Sequence, residues 1–342
     1  MSTTAPRSAI PWHTLIILVL TIGLLWLFVQ NIDFARAWEA VTHAHPGLIA
    51  LAVLATFSTY VLRAFRWLAL LEPLGRVRFS TAFRTTVIGF TAIFLLPGRV
   101  GEVLRPFLLA RHEGLKATAV FATVVVERLL DVATVLLLFA IALPLSGVDV
   151  GPEARAAGVA AAVAAIVGLG VLAVSAGHPE RLGRWAGQVT SRLPRRLAEP
   201  IARLVQSFVE GLVVLRSPAH LARAAAWSIV VWLSIGLGIW LTSHAFDLTL
   251  SFVGSFVVVG YLAVGVSLPT PGGAGGFHVM YKVALTSFFG ADADAAAAAA
   301  VVLHAISFVP VSLFGLWFMW QDGLSLGRLR AMRAEAQAAE KL

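Results

Sequence analysis

Three charged residues interrupt a long apolar run in Val126-Glu127-Arg128-Leu129-Leu130-Asp131, with Ala117–Val126 before them and Val132–Ile141 after. Glu127 and Asp131 are four apart, so a helix places both on one face. Carboxylates that close repel each other unless a cation or a proton intervenes. A second group, Arg99, Glu102 and Arg105, follows a break at Pro97-Gly98. Glu102 and Arg105 are three apart and also share a helix face. A broken helix leaves backbone N–H groups free, and its N-terminus favours an anion. The forked guanidinium of Arg suits phosphate or carboxylate. Together these types suit capture of an anionic lipid headgroup, with Arg99 and Arg105 reaching Glu127 and Asp131 across a helix contact. The plain alternative is an ion-pair network that only holds helices together. Glu127 and Asp131 are also candidates for a protonated coupling site.

A third group lies in Pro269-Thr270-Pro271-Gly272-Gly273-Ala274-Gly275-Gly276 and the short helix after it. Glycines there permit positive φ and close backbone approach, Gly272 and Gly273 among them. Lys282 follows on that helix and could meet a phosphate or snorkel outward. His304 stands in the last apolar run at about the place Glu127-Arg128 holds in an earlier one; a packing role is the alternative.

The elements that must position these groups are membrane helices. Of 342 residues, 59% are hydrophobic and 13% charged, and mean hydropathy is +0.86. Soluble domains are typically about 45–50% apolar with about 25% charged residues, so a soluble enzyme and a disordered chain are both excluded. Runs near the roughly 20 residues of a membrane helix fall at about 13–30, 47–70, 117–143, 155–176, 223–246 and 296–320. The first run is followed by Gln30-Asn31-Ile32-Asp33 with no small-residue cleavage site, and reads as an uncleaved span. Two further runs are broken: 83–113 at Pro97-Gly98, and 252–290 at the glycine loop.

Basic residues crowd three segments, 63–84 (Arg63, Arg66, Arg76, Arg78, Arg84), 177–222 and the tail. By the positive-inside rule these face the cytoplasm, as do both termini. Each broken run then starts and ends on one side: 83–113 inside, 252–290 outside. The expectation is an all-α integral membrane protein with about six spanning helices and two re-entrant broken hairpins in an inverted repeat. The first repeat covers about 47–143 and the second about 223–320, within one domain over 1–342. Amphipathic segment 177–220, with Trp185, Leu193, Ile201 and Phe208 between Arg residues, reads as lying on the anionic inner leaflet. The net charge of +8 is assigned to this membrane pattern and not to nucleic acid. Cysteine is absent, which removes disulfides and thiol chemistry. Arg supplies all but three of the 26 basic residues, which with the Ala-rich spans suggests a GC-rich bacterial source.

There is no G-x-x-x-x-G-K-[ST], H-E-x-x-H or G-x-S-x-G pattern. No cofactor, metal or catalytic residue is expected. About 22 residues follow the last span, too few for a soluble domain. The pairing of Pro97-Gly98-Arg99-Val100-Gly101-Glu102-Val103-Leu104-Arg105 with Glu127-Arg128-Leu129-Leu130-Asp131, with Arg63-Ala64-Phe65-Arg66-Trp67 ahead and the glycine loop near the end, resembles the lysylphosphatidylglycerol synthase transmembrane-region family. The resemblance covers most of the chain. It implies a prokaryotic inner-membrane protein related to the part of the family's bifunctional member that flips aminoacylated phosphatidylglycerol, without the aminoacyl-transferase domain. It therefore implies lipid translocation and not synthesis. Here Gly276-Phe277-His278 stands where the family often carries an acidic residue after the glycine loop. The expected function is a lipid flippase or facilitator in the bacterial inner membrane, with membrane lipids and a lipid-modifying enzyme as partners. Without an ATP site, movement would be downhill or ion-coupled. The rivals are a non-transporting scaffold for a lipid or glycan synthase, and an enzyme acting on lipid headgroups.

Overall fold

The computed structural model describes residues 12–30, 32–96, 99–148 and 217–323, with scattered positions between 151 and 170. Pro97-Gly98, most of the run at 155–176, the amphipathic segment up to 216 and the tail from 324 lie outside the described residues.

The described residues form helices and no strands. In chain order they are α1 (Trp12–Val29), α2 (Phe34–His43), α3 (Pro46–Leu71), α4 (Phe79–Leu95), α5 (Gly101–Glu113), α6 (Ala117–Leu145), α7 (Pro218–Ala245), α8 (Ser255–Ser267), α9 (Gly276–Phe289) and α10 (Ala293–Gln321). Local chemistry sets several ends. Ser217 caps α7 with Pro218 at the first helical position, and Asp292 accepts from the N–H groups of Asp294 and Ala295 to start α10. α5 and α9 each stop at a left-handed glycine, Gly114 (φ 68°) and Gly290 (φ 62°).

Three helical stretches among the described residues are long and apolar enough to cross a membrane: Pro46–Leu74, Ala219–Ala245 and Ala293–Gln321. A fourth forms if Leu15–Val29 and Phe34–His43, bent by 79°, count as one. That is fewer than the six expected. One reason is that the run at 155–176 is mostly outside the described residues. The other is α6, 29 residues long with Glu127, Arg128 and Asp131 within it, which is not among these three.

The broken runs are antiparallel helical hairpins. In α4–α5, Gly89 meets Gly101 and Arg105 near the tip, while Arg78 Nε pairs with Glu113 Oε1 at 3.2 Å at the open end. In α8–α9, Gly265 meets Gly276 near the tip, and Gly254 meets Phe289 at the open end. The first arms, of 17 and 13 residues, reach about 25 and 20 Å at about 1.5 Å per residue, short of a hydrocarbon core about 30 Å thick.

Packing partners in the first half recur in the second. α3 lies against α7; α4 packs on α10 as α8 packs on α6; and the neighbours α3–α4, α4–α5 and α5–α6 correspond to α7–α8, α8–α9 and α9–α10. Small residues line the central α3–α7 contact. Ser234 Oγ donates to Ala55 O at 2.9 Å and lies 3.0 Å from Thr59 Oγ1, and Gly238 faces Thr56. Without a hydrophobic drive between helices in lipid, small-residue contacts and interhelical hydrogen bonds of this kind hold such a pair.

Candidate functional site

α3, α5, α6 and α7 converge on one buried group of charges. Glu127, fully buried, receives three guanidinium groups through Oε1: Arg66 Nη2 at 3.0 Å, Arg105 Nη1 at 2.9 Å and Arg128 Nη2 at 3.2 Å. Asp131, one turn on, receives Arg66 Nη1 at 2.5 Å and Trp232 Nε1 at 2.9 Å, with Arg128 Nη1 at 3.5 Å and Arg63 Nη1 at 3.8 Å. Arg66 also donates to Ser228 Oγ at 3.2 Å. The aromatic walls are cationic platforms. The Arg105 guanidinium carbon lies 3.7 Å from the centre of the Trp67 ring, and that of Arg63 5.0 Å from Phe90. Trp67 Nε1 donates to Thr123 Oγ1 at 3.0 Å, which fixes the ring that Arg105 covers.

This group confirms the proximity expected of Arg105, Glu127, Arg128 and Asp131, and answers how two carboxylates tolerate one helix face: Arg66 bridges them. It also changes the membership. Arg63 and Arg66, expected to mark a cytoplasmic loop, are buried side chains of α3. Their sequence position carried a signal, since Trp67, Leu68, Ala69, Leu70 and Leu71 continue the apolar run past Arg66. Their carboxylate partners lie more than 60 residues away and carry no local signature.

Arg99 stands apart from this group. Its side chain is half-exposed, its φ is 51°, and it donates to Val266 O at 2.7 Å while lying 3.5 Å from Glu102. It therefore ties the tip of the first hairpin to the end of α8. Glu102, with Gly89, Phe90, Ile93, Gly101, Arg105, Val124 and Arg128, lines a crevice of about 10 Å³ against the charged group. That is room for about one water molecule, so the group is closed to a headgroup in this conformation.

Gly272, Gly273 and His304 form a second centre. Gly272 and Gly273 sit in a tight turn over Pro271–Gly273, where His304 Nε2 donates to Gly272 O at 3.0 Å. His304 stacks on Phe308 with centroids 4.0 Å apart, and its ring centre is 4.5 Å from that of His278. Phe94, at the end of α4, lies edge-on to Phe308 of α10 at 4.2 Å, and Phe277 at the start of α9 meets the same ring at 6.2 Å. An α10 ring thus joins the tips of the two hairpins, which also meet through Arg99 and where Gly272 faces Phe94 O. Lys282 points elsewhere. Its Nζ lies 3.5 Å from both Phe28 O and Gln30 O, carbonyls at the end of α1 and just past it. Among the described residues, no hydrogen bond or ion pair joins Lys282, His304 or the glycine turn to Arg105, Glu127 or Asp131. The single pathway expected of all these residues is thus two centres, one ionic and one aromatic, joined at the hairpin tips.

The family described as lysylphosphatidylglycerol synthase TM region matches residues 14–315, a stretch that contains every residue of both centres. The chain belongs to this family. Two relatives in the archaea are similar along nearly the whole chain. One is "Glycosyltransferase AglD" of Haloferax volcanii, 27% identical over 361 residues, covering 94% of this chain and 56% of that protein. The other is "UPF0104 membrane protein" of Methanothermobacter thermautotrophicus, 24% identical over 318 residues, covering 88% of this chain and 93% of that protein. The chain spans little more than half the length of the first relative.

Proposed function

We propose that this family member translocates a lipid, moving its headgroup between leaflets through the contact of the two hairpins. The observation that carries the reading is the buried charged group. Each intramembrane charge costs about 2.5–3.5 kcal/mol on insertion scales, and replacing a buried ion pair by apolar packing is often neutral or stabilising. Helix assembly alone therefore does not require six such side chains. Forked donors beside a crevice lined by Arg105 and Arg128 suit a phosphate-bearing headgroup. In this reading the near absence of free volume there corresponds to a closed conformation between open states. Movement follows a lipid gradient or is coupled to an ion.

In this reading α4–α5 and α8–α9 are re-entrant from opposite faces and the halves form an inverted repeat. The recurring packing partners and the short arms support that arrangement, and meeting tips of two Gly-rich hairpins are a usual place for a transporter's site. Both termini then face the cytoplasm of a bacterial inner membrane. A lipid-modifying enzyme that makes the transported lipid is the natural partner. A second reading, a membrane module serving a glycosyl- or lipid-transferring enzyme, draws on the name of the Haloferax relative, of which this chain matches 56%.

The test is transbilayer movement of fluorescent phospholipids in liposomes carrying the purified protein, its Arg128→Ala variant and empty controls. Translocation reduced at least about tenfold in the variant, with its helical signal intact, supports the reading; about tenfold corresponds to 1.4 kcal/mol. Movement equal to that of empty liposomes for every phosphate-bearing lipid, with and without a proton gradient, overturns it in favour of the module reading.

A further inference from the structure

The charges of the buried group do not balance. Arg63, Arg66, Arg105 and Arg128 supply four guanidinium groups against the two carboxylates of Glu127 and Asp131. Guanidinium stays protonated in proteins, so the group carries an excess of two positive charges. Arg99 and Glu102, beside it, pair with each other and add nothing to this balance. Hydrogen bonding is incomplete in the same sense. Arg63 Nη1, Arg66 Nε, Arg105 Nε and Nη2, and Arg128 Nε are buried donors without an acceptor, against one unpartnered acceptor, Glu127 Oε2. Desolvated donors and surplus charge of one sign are costly unless an anion supplies what is missing.

We infer that the site takes a dianionic phosphate monoester headgroup, on a single-phosphate lipid, in preference to phosphodiester and aminoacylated headgroups. This rests on the translocation reading for its role but not for its chemistry. A phosphate monoester carries close to two negative charges above its second ionisation near about pH 6, and three acceptor oxygens. It matches the surplus in charge and in donors. A phosphodiester brings one negative charge and leaves one cation uncompensated. A lysyl-bearing phosphatidylglycerol, with two ammonium groups on one phosphodiester, brings net positive charge and is repelled. Arg105 and Arg128 line the crevice, and the Arg128 side chain is 38% exposed where the other members of the group are buried, so the phosphate would reach Arg128 first.

Binding to the full-length protein in neutral detergent tests this, read by tryptophan fluorescence, with Trp67 and Trp232 inside the group. The probes are dodecyl phosphate, its methyl diester, inorganic phosphate and lysyl-phosphatidylglycerol, each at roughly pH 5.5 and roughly pH 8, either side of the second ionisation. Dodecyl phosphate is expected to bind about fourfold more tightly at the higher pH, in proportion to its dianion fraction, and there about tenfold more tightly than the methyl diester, whose affinity stays flat. Arg128→Ala should abolish that preference and Arg128→Lys should keep most of it. The comparison of probes on the unaltered protein stands even if the alanine variant does not fold. Equal affinity for monoester and diester, a preference for the lysyl lipid, equal affinity for inorganic phosphate, or no binding of any probe overturns the inference. Dianion binding without lipid movement leaves it standing and counts against transport. Movement of phosphodiester lipids with indifference to the dianion does the reverse.

Discussion

Glu127 Oε1 holds Arg66, Arg105 and Arg128 together, so the three helices that carry them depend on one atom. Removing a single partner from a buried ion network typically costs about 3–5 kcal/mol, because the remaining charges stay buried without compensation. We expect Glu127→Ala to lower the unfolding free energy of the protein in mixed micelles by about that amount. Glu102→Ala, whose side chain is 30% exposed and pairs only with half-exposed Arg99, should cost about 1 kcal/mol or less. Equal costs for the two would mean that the buried group does not organise the fold. Glu127, Arg128 and Asp131 were legible as a site from sequence alone, because charges inside an apolar run demand an explanation wherever they occur. Arg63 and Arg66 were not, because near the end of a span Arg is as well explained by the membrane surface as by a buried partner. Only α5, α6 and α7 closing around them decides between the two. Lys282 shows the converse: its type suggested phosphate, and its place beside the end of α1 gave it backbone carbonyls instead.

At the scale of elements, each hairpin is built on a glycine contact near its tip. A Cβ at Gly101 would collide with Gly89 O and lie 2.8 Å from Ile93 N. A Cβ at Gly265 would collide with Gly276 O and lie 2.9 Å from Met280 Cγ. Backbone atoms cannot move aside as a flexible side chain can, so the arms must separate. Separating α4 from α5 pulls Arg105 away from Glu127. Gly101→Leu is therefore expected to damage both packing and charge, costing more than the 1–3 kcal/mol typical of overpacking alone. Gly265→Leu disturbs a hairpin that supplies no side chain to the buried charged group and should stay within that range. Unfolding of both variants in mixed micelles, beside Glu127→Ala in combination, separates the two contributions: in the Glu127→Ala background the Gly101→Leu cost should shrink. An undiminished cost would mean that the hairpin and the charged group are independent. The hairpins themselves were legible because Pro and Gly stop a helix and the runs before them are too short to span. The glycines that seat one arm on the other were not singled out in the first hairpin, since Gly89 and Gly101 sit inside helices where nothing local marks a close contact.

For the whole molecule, the arrangement of the halves makes a prediction about sides. The hairpin α4–α5 opens at Arg78 and Glu113, and α8–α9 opens at Gly254 and Phe289. Long α3 and α7 lie side by side, with Ala55 facing Ser234 near their middles and Glu72 paired with Arg223 at one end, so they run antiparallel. α4 begins directly after α3, and α8 directly after α7. Two antiparallel helices deliver the hairpins that follow them to opposite ends of the molecule. If the long helices cross the membrane, the open ends must face opposite sides, even though the tips touch through Arg99 and Phe94. The absence of native cysteine makes this directly measurable. Arg111 and Ser287 are exposed near the ends of α5 and α9. In sealed inside-out and right-side-out vesicles, a membrane-impermeant maleimide should label Arg111→Cys from the cytoplasmic side alone and Ser287→Cys from the outer side alone. Labelling of both from one side would require the hairpins to enter from the same face. That would remove the inverted relation and, with it, the argument that a headgroup passes from one leaflet to the other where the two tips meet.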